Sequence, residues 1–488
     1  MKITLTLLDE VTFKLDGVPL EVRKEIHRSL KFENPAAKYM KTPRLYGWDG
    51  SIAFFNLGGT GYIHHLSQVL DIITNRGLSI HEVVDKRQKY DIDFPLISND
   101  YWGDTCWPEG HELQGTPIKL RDYQTDAANG FLGCPQGIQQ LPTASGKTII
   151  LATLSRIVEK LGRSLIIVPN RSLVNQTLED YQNCGLDVGV FYGGKRELDK
   201  THTICTWQSL ESANRKSKKN IEIEESDLEL LSNGLKTIIC DETHMVKGTV
   251  LKKLLSQNFK NVPIRWGLTG TIPKAPHEFE ALRSTLGPVI GKIKPKTLQD
   301  SGYLSNCEIH IKQLRDNPEF KDYQEELKYL VSNENRINYI SGMIRQIRNS
   351  GNTLVLVDRI AAGNAICDNL ENAVFVSGGM KVEDRKDHYD TIKTSNDQVI
   401  VATYQVAAVG INLVNIHNVV LIEPGKSFVR VIQSIGRGLR RSESKDFVNI
   451  WDITSTCRFS KKHLTERKKF YRESEYKFNI EKIDWDLK

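Results

Sequence analysis

Three short segments of this sequence carry residues whose types and spacing suit nucleotide chemistry. They are LPTASGKT at 141–148, DETH at 241–244 and QSIGRGLR at 433–440. In this order they supply a phosphate cradle, an acid that binds Mg²⁺ beside a glutamate that activates water, and arginines that can reach a γ-phosphate. No one segment decides the function, but the set predicts nucleotide hydrolysis in a cleft between two domains.

The phosphate cradle follows a predicted strand and opens a predicted helix. Backbone N–H groups can surround the phosphates, while Lys147 reaches the β and γ oxygens and the Thr148 hydroxyl binds Mg²⁺. The cradle residues are Thr143, Ala144, Ser145 and Gly146. The general pattern GxxxxGK[ST] starts with glycine where this chain has Leu141, so the segment is less specific when it is taken alone.

A carboxylate pair follows the buried-strand pattern 237–240. The carboxyl ends of parallel strands are where open α/β sheets bind ligands. We therefore expect Asp241 to hold Mg²⁺ and Glu242 to orient and deprotonate the attacking water.

The third segment has the pattern QxxGRxxR, with Gln433 at its start. Helical spacing places Arg437 and Arg440 on one face, three residues apart. An arginine supplied by a second domain stabilises the charge of a phosphoryl transition state when the cleft closes.

Composition sets broad limits on the class of protein. The chain has 488 residues and a net charge of +6. Its cysteines are scattered without CxxC spacing, so we expect a reduced, cytoplasmic setting and no zinc site. Apolar runs are only strand-sized, and the charged start does not predict a signal peptide.

The pattern along the chain predicts an α/β fold with two tandem parallel-sheet domains, a small N-terminal α+β domain and a short helical C-terminal tail. Strand-like runs alternate with helical ones in both halves; in the first half they are 138–141, 165–168, 203–205, 237–240 and 264–268. Residues 91–118 are interpreted as a linker. The predicted domains are 1–110 (accessory), 119–295 (ATP-binding motor domain), 300–460 (second motor domain) and 461–488 (basic tail).

These segments resemble superfamily 2 helicases and translocases over roughly residues 119–455. In LRDYQTDA, the resemblance implies that Gln124 reads the adenine edge, with Arg121 nearby, and that Gly410 lies near the nucleotide. It implies that His244, Thr269 and Thr271 couple hydrolysis to domain motion. The implied DNA-backbone contacts are Pro169, Asn170, Arg171, Thr206, Gln208, Arg359, Ser377, Gly378 and Thr403.

The layout also resembles bacteriophage branch-migration helicases of the UvsW type, and the segment RLYGWDG (44–50) is similar to a segment of that family. The resemblance implies that the two parallel-sheet domains are RecA-like. That resemblance implies movement on branched or duplex DNA that depends on ATP and Mg²⁺ and is independent of the DNA sequence. The expected partners are single-strand-binding or recombination proteins. The protein is expected to be a monomer that does not bind a membrane. Trp48 is either a wedge at a DNA branch point or a core residue of the small domain. The basic run 461–472 is a further candidate for contact with the DNA backbone.

Two alternatives stay open. One is the motor subunit of a restriction-type nuclease complex, in which the nuclease would be a partner. The other is a nucleic-acid-binding module that does not hydrolyse ATP, which the presence of Lys147, Asp241, Glu242, Arg437 and Arg440 disfavours.

Overall fold

The computed structural model describes residues 2–39, 48–111, 113–217, 226–243, 248–378, 380, 395–407, 415–425 and 447–486. The chain divides into two compact units: residues 1–141 and 146–292 form the first, and residues 142–145 and 293–488 form the second. None of the helices in these ranges has the length and apolar character needed to cross a membrane.

The first unit begins with a small four-stranded sheet. Its strands lie in the order Thr60–Tyr62, Thr12–Asp16, Thr4–Leu7 and Glu82–Asp85. The first two strands of the sequence form an antiparallel hairpin, with Leu5 opposite Leu15. The helices Leu20–Ser29 and Leu66–Asn75 cover a core that includes Phe13 and Phe54. A second pair of strands, Lys31–Glu33 and Ser51–Ala53, is antiparallel.

An eight-stranded sheet, here called the first large sheet, forms the rest of this unit. Its order is Lys195–Arg196, Val188–Tyr192, His202–Thr206, Arg163–Val168, Leu235–Cys240, Ile264–Thr269, Gln136–Gln140 and Val289–Lys292. All neighbours are parallel except the hairpin at 188–196. The accompanying helices are Asp122–Leu132, Lys147–Val158, Arg171–Asn183, Trp207–Ser217, Asp227–Ser232, Gly248–Lys253 and Pro276–Leu286. Each of the five strands predicted in this half is present.

The second unit is built on a seven-stranded parallel sheet, here called the second large sheet. Its order is Ala373–Val376, Val399–Thr403, Thr353–Val357, Asn418–Ile422, Phe447–Ser455, Asn306–Leu314 and Lys477–Ile483. Its helices are Pro295–Asp300, Tyr323–Ser332, Glu334–Ile347, Ile360–Asp368, Tyr404–Ala407 and Arg458–Glu473. The predicted fold class, two tandem parallel-sheet α/β domains, is confirmed. The tail is helical to Glu473, and its last strand then joins the edge of this sheet.

The segment interpreted as a linker does not behave as one. Trp102 is 3% exposed, and its indole N–H donates to the Thr153 hydroxyl at 3.1 Å. The Asn129 side chain exchanges two hydrogen bonds with the backbone of Ile97. Ile97 is therefore bonded to the helix 122–132 and Trp102 to the helix 147–158, contacts that the absence of any periodic pattern concealed.

The small sheet is joined to the first large sheet at the amino-terminal ends of its strands. The Glu10 backbone N–H donates to the Lys260 carbonyl at 3.0 Å, and the Gln136 amide donates to the Glu10 carbonyl at 3.1 Å. The Lys252 ammonium lies 4.2 Å from the ring centre of Phe54 and 4.8 Å from that of Tyr62. Ligand sites in parallel sheets form at the opposite, carboxyl-terminal edge, so this attachment leaves that edge open.

Candidate active site

The phosphate loop lies between the strand Gln136–Gln140 and the helix Lys147–Val158, as predicted. Two of its residues adopt left-handed backbone conformations, Ala144 with φ +67° and Gly146 with φ +69°. A Cβ atom at Gly146 would lie 2.5 Å from the Gln124 side-chain nitrogen. Only glycine allows both that backbone conformation and the close approach. The Thr143 hydroxyl is buried and has no hydrogen-bond partner among the described residues, as expected of a group that awaits a ligand.

The helix that follows the loop starts at Lys147, whose side chain is 9% exposed. The Lys147 ammonium lies 2.9 Å from a Glu242 carboxylate oxygen. The other oxygen of Glu242 accepts a hydrogen bond from the Gly270 backbone N–H at 3.3 Å. The structure therefore brings the predicted phosphate-binding lysine and the predicted water-activating glutamate into direct contact.

Asp241 immediately follows the strand Leu235–Cys240 at its carboxyl end. Its backbone N–H donates to the Ile167 carbonyl at 2.9 Å, and its side chain accepts from the Glu242 backbone N–H at 2.8 Å. Burial, and then the negative charge of Glu242, raise the pKa of Asp241 to about 7, although Lys147 acts in the opposite direction. A carboxyl group in such surroundings is suited to bind a cation, because a bound cation stabilises its ionised form. Glu242 itself has a φ of +46°, a left-handed value that is uncommon for a residue with a side chain.

The predicted coupling residues Thr269 and Thr271 lie beside this site, at the end of the neighbouring strand Ile264–Thr269 and just after it. The Thr269 hydroxyl donates to the Thr271 carbonyl at 2.8 Å, and the Leu141 N–H donates to the Thr269 carbonyl at 2.9 Å. Both threonines are buried, and Gly270 between them donates to Glu242. Gly270 was not among the predicted site residues. Its position in LTGT, directly after a predicted strand, could have indicated that it lies at the ligand-binding edge of the sheet. His244 lies outside the described residues.

The predicted adenine-reading residues begin the helix Asp122–Leu132. The Gln124 side-chain oxygen accepts from the Arg121 backbone N–H at 2.9 Å, which closes the first turn. The Arg121 guanidinium donates to the Tyr123 hydroxyl at 3.1 Å. Gln124 is 4% exposed and lies against Gly146, so these two residues, 22 positions apart in sequence, share one site.

Five predicted DNA contacts gather at the ends of two adjacent strands of the first large sheet. They are Pro169, Asn170, Arg171, Thr206 and Gln208, which follow or end the strands 163–168 and 202–206. The Gln208 amide donates to the Pro169 carbonyl at 3.1 Å, and the Asn170 side chain accepts from the Leu173 N–H at 3.0 Å. The Asn170 side-chain nitrogen is buried and finds no partner within the described ranges. Arg171 and Gln208 are exposed.

The second large sheet repeats this arrangement. Arg359, Ser377 and Thr403 lie at the carboxyl ends of three adjacent parallel strands, 353–357, 373–376 and 399–403. Arg359 is exposed and donates to the Gln324 side chain at 3.2 Å. Gly378 is exposed next to Ser377. Each unit therefore presents polar groups at the ligand-binding edge of its own sheet.

Several predicted residues lie outside the described residues. They are His244, Gly410, Gln433, Arg437 and Arg440. Trp48 is described: it is half-buried, and its indole N–H donates to the Ser51 carbonyl at 2.7 Å. It is not a member of the buried core cluster of the small domain.

The basic run 461–472 is only partly available to DNA. It forms most of the helix Arg458–Glu473, and Arg467 within it is 1% exposed and paired with Asp452 through two bonds of 2.8 and 2.9 Å. The lysines Lys461, Lys462 and Lys469 of this run are exposed, whereas Lys468 is half-buried. Arg467 is therefore not available for the DNA contact expected of this run, because it is buried against Asp452, a partner that charge spacing alone does not reveal.

Comparison with known proteins agrees with this geometry. Residues 117–274 match the family described as "Type III restriction enzyme, res subunit", and residues 335–442 match the "Helicase conserved C-terminal domain". The chain is 27% identical over 370 residues to the ATP-dependent DNA helicase uvsW of Enterobacteria phage T4, which covers 71% of each protein. It is 26% identical to putative helicase 22 of a Sulfolobus islandicus filamentous virus, over 70% of this chain and 65% of that protein.

Among solved structures, the chain is similar to the ATP-dependent Type ISP restriction-modification enzyme LlaBIII bound to DNA. The TM-score is 0.57 at 15% identity, over 86% of this chain and 36% of that one. At this identity the likeness concerns the fold, and it supports the tandem arrangement of two parallel-sheet domains.

Proposed function

Since the chain is a superfamily 2 helicase, we propose that it hydrolyses ATP to move along DNA, and that it unwinds or branch-migrates forked, displacement-loop and four-way junction DNA. Such activity serves recombination, repair or the restart of replication. The proposal for branched DNA is supported by the resemblance of RLYGWDG and by the similarity to the phage T4 helicase, which extends over 71% of both chains.

One observation carries the proposal of ATP hydrolysis: the contact of Lys147 with Glu242 beside the buried Asp241. A lysine at the start of a helix binds the β- and γ-phosphates of ATP. When the Lys147 ammonium binds the phosphates in place of Glu242, the Glu242 carboxylate becomes available to accept the proton of the attacking water. Gly270 keeps its N–H directed at Glu242 and so links the state of this carboxylate to the strand 264–269.

The residues present fit a Mg²⁺ ion. Asp241 is a buried carboxyl group whose pKa is raised by burial and by Glu242, and Thr148 begins the same helix as Lys147. We assign Thr148 and Asp241 as the groups that hold the ion, directly or through water. When bound, Mg²⁺ neutralises charge on the phosphate oxygens. The adenine end of ATP is assigned to Gln124 and Arg121, and further nucleotide contacts to Thr143, Gly410 and Gln433.

Arg437 and Arg440 are proposed to stabilise the charge that develops on the γ-phosphate. The pattern QxxGRxxR in the second matched family region supports this role. Arginine serves it well because its guanidinium is planar and permanently charged.

DNA is proposed to bind along the polar edges of both large sheets. Hydroxyl, amide and guanidinium groups of this kind contact phosphates rather than base edges, so binding is independent of sequence and weakens with salt. We assign this binding to the groups at 169–171, 206–208, 359, 377–378 and 403. Residues 1–110 would form an accessory domain beside the motor domains 119–295 and 300–460, in a monomer that works in the host cytoplasm with single-strand-binding or recombination proteins.

A second candidate is the motor of a restriction-type complex, which the description of the family matched at 117–274 favours. Such a motor would translocate on linear duplex without a preference for branched DNA, and its nuclease would be a partner protein.

The test is the rate of ATP hydrolysis with single-stranded, duplex, forked and four-way DNA, with RNA as the control. We expect the largest stimulation with forked and four-way DNA and little with RNA. Equal stimulation by linear duplex and junctions would favour the restriction-type motor, and no stimulation by any DNA would contradict the proposed function.

A further inference from the structure

The second unit contains a network of fully buried charges that the site described above does not use. Arg336 is 0% exposed and donates to Glu423 at 2.6 Å and to Asp316 at 3.3 Å. Arg467 donates to both oxygens of Asp452, which also accepts from the Tyr471 hydroxyl at 2.7 Å. Buried ion pairs of this kind add little net stability compared with apolar packing, so their retention calls for another reason.

The two halves of the network meet on one short turn. That turn, Glu423-Pro424-Gly425, follows the strand Asn418–Ile422. Arg336 holds the Glu423 side chain, while Arg467 donates to the Gly425 carbonyl at 2.7 Å. Glu423 and Gly425 have φ values of +44° and +68°. A left-handed conformation at a residue with a side chain is strained, and it persists where the surroundings fix it.

The same turn is linked to Thr403, one of the proposed DNA contacts. The next residue, Tyr404, is 3% exposed, and its hydroxyl donates to the Ile422 carbonyl at 3.1 Å. The Thr403 hydroxyl in turn accepts from the Val406 N–H at 3.4 Å. The end of the strand 399–403 is therefore bonded to the residue that precedes Glu423.

A second link runs to Arg359 through the helix Tyr323–Ser332. Gln324 of this helix accepts from Arg359, and the Leu330 carbonyl accepts from Arg336 at 2.9 Å. The buried Glu326 of the same helix accepts from the backbone N–H groups of Phe459 and Ser460, at 2.9 and 2.7 Å. The helix thus connects a proposed DNA contact to the charge network and to the C-terminal helix.

We propose that Arg336, Glu423, Tyr404 and Arg467 are positioning residues that couple DNA binding by the second motor domain to ATP hydrolysis. They join the DNA-contact ends of two strands to the turn at 423–425, from which the chain leads in sequence to Arg437 and Arg440. The C-terminal helix supplies Arg467, so part of the basic run serves this network instead of DNA. The inference rests on the proposed function and names the residues that make hydrolysis respond to DNA.

The test compares the ATP hydrolysis rate at saturating DNA with the rate without DNA, in the full-length protein. Glu423→Gln keeps the side-chain volume and an acceptor oxygen but removes the charge. Tyr404→Phe removes only the hydroxyl. Both changes should lower the stimulation by DNA at least about fivefold, while the rate without DNA stays within about twofold of wild type.

The matched control is Tyr181→Phe. Tyr181 is also fully buried, and its hydroxyl is bonded to Ser155 at 2.9 Å in the first unit, away from the network. It should lose a comparable amount of stability and retain full stimulation. Thermal unfolding of each variant separates loss of folding from loss of coupling, and Tyr404→Phe decides the outcome if Glu423→Gln does not fold.

Unchanged stimulation in the folded Tyr404→Phe variant, or an equal loss in Tyr181→Phe, would overturn the inference and leave the proposed function intact. A wild-type protein whose ATP hydrolysis does not respond to DNA would overturn the proposed function and this inference with it.

Discussion

At the scale of single residues, the contact between Lys147 and Glu242 shows how one side chain can hold another until substrate arrives. Both groups are largely buried, with side-chain exposures of 9% and 12%. An unpaired charge at such a buried site raises the free energy of the folded protein, so the Lys147 ammonium and the Glu242 carboxylate stabilise each other when no nucleotide is bound. Phosphate oxygens offer Lys147 an alternative partner, and the glutamate then becomes available for proton transfer.

Replacing Lys147 by alanine should lower DNA-stimulated ATP hydrolysis by at least about 100-fold, because phosphate loses its buried cation. DNA binding should remain, since the proposed DNA contacts at 169–171 and 206–208 belong to other strand ends. Initial-rate assays and DNA titrations measure the two effects. Lys119→Ala removes an exposed lysine paired with Asp100 and serves as the control. Full turnover by Lys147→Ala would remove the phosphate-loop assignment.

The stability of the nucleotide-free protein should depend on pH through Asp241. Its pKa is raised from 3.8 to about 7, chiefly by burial. Between these values the folded protein retains a proton that the unfolded chain releases, so this group makes folding less favourable as pH rises. Asp241→Asn removes the effect. The Asp241→Asn variant should therefore gain more unfolding free energy at pH 8 than at pH 5, by about 2–3 kcal/mol.

Urea denaturation at the two pH values, without nucleotide or Mg²⁺, measures this difference. Asp300→Asn, which changes an exposed helix residue paired with Lys296, is the control. A gain that does not change with pH would show that Asp241 does not titrate in this range.

Among the secondary-structure elements, the helix Lys147–Val158 packs against the segment that contains Trp102. The sequence of that segment has no periodic pattern that would predict this contact. Trp102 packs under this helix, donates to Thr153, and lies 4.7 Å from the Arg156 guanidinium. Trp102→Ala should destabilise the protein by about 3–5 kcal/mol, as expected for loss of a large buried aromatic side chain. Thermal and urea unfolding measure the effect.

Trp107→Ala is the matched control, because Trp107 is half-buried and stacked on His111 at 4.1 Å. It should cost about 1 kcal/mol or less. Similar losses for the two tryptophans would contradict the anchoring role of Trp102.

The strands of both large sheets could be predicted from the sequence because short apolar runs such as 165–168 and 354–357 recur between helical patterns. The strand Lys477–Ile483 could not, since four of its seven residues are polar or charged and its partner strand starts at Asn306. Charge patterning also could not show that Arg467 is buried, because Asp452 is distant in sequence. The left-handed conformations of Ala144 and Glu242 leave no trace in residue type.

At the scale of the whole molecule, the first unit combines the small sheet and the first large sheet. Lys252 lies over Phe54 and Tyr62, and burial lowers its pKa to about 8. The small domain is therefore attached through desolvated contacts at the amino-terminal edge of the first large sheet. In the proposed mechanism this unit moves with ATP binding and hydrolysis, and the small domain moves with it.

The conversion of a labelled four-way DNA junction tests the central claim, that ATP hydrolysis drives movement on branched DNA. Wild-type protein with ATP and Mg²⁺ should separate the arms of the junction. Glu242→Gln should bind both ATP and the junction but leave it intact, because the proton acceptor for water is lost. Separation of the junction by Glu242→Gln at the wild-type rate, or by wild-type protein without ATP, would contradict this account.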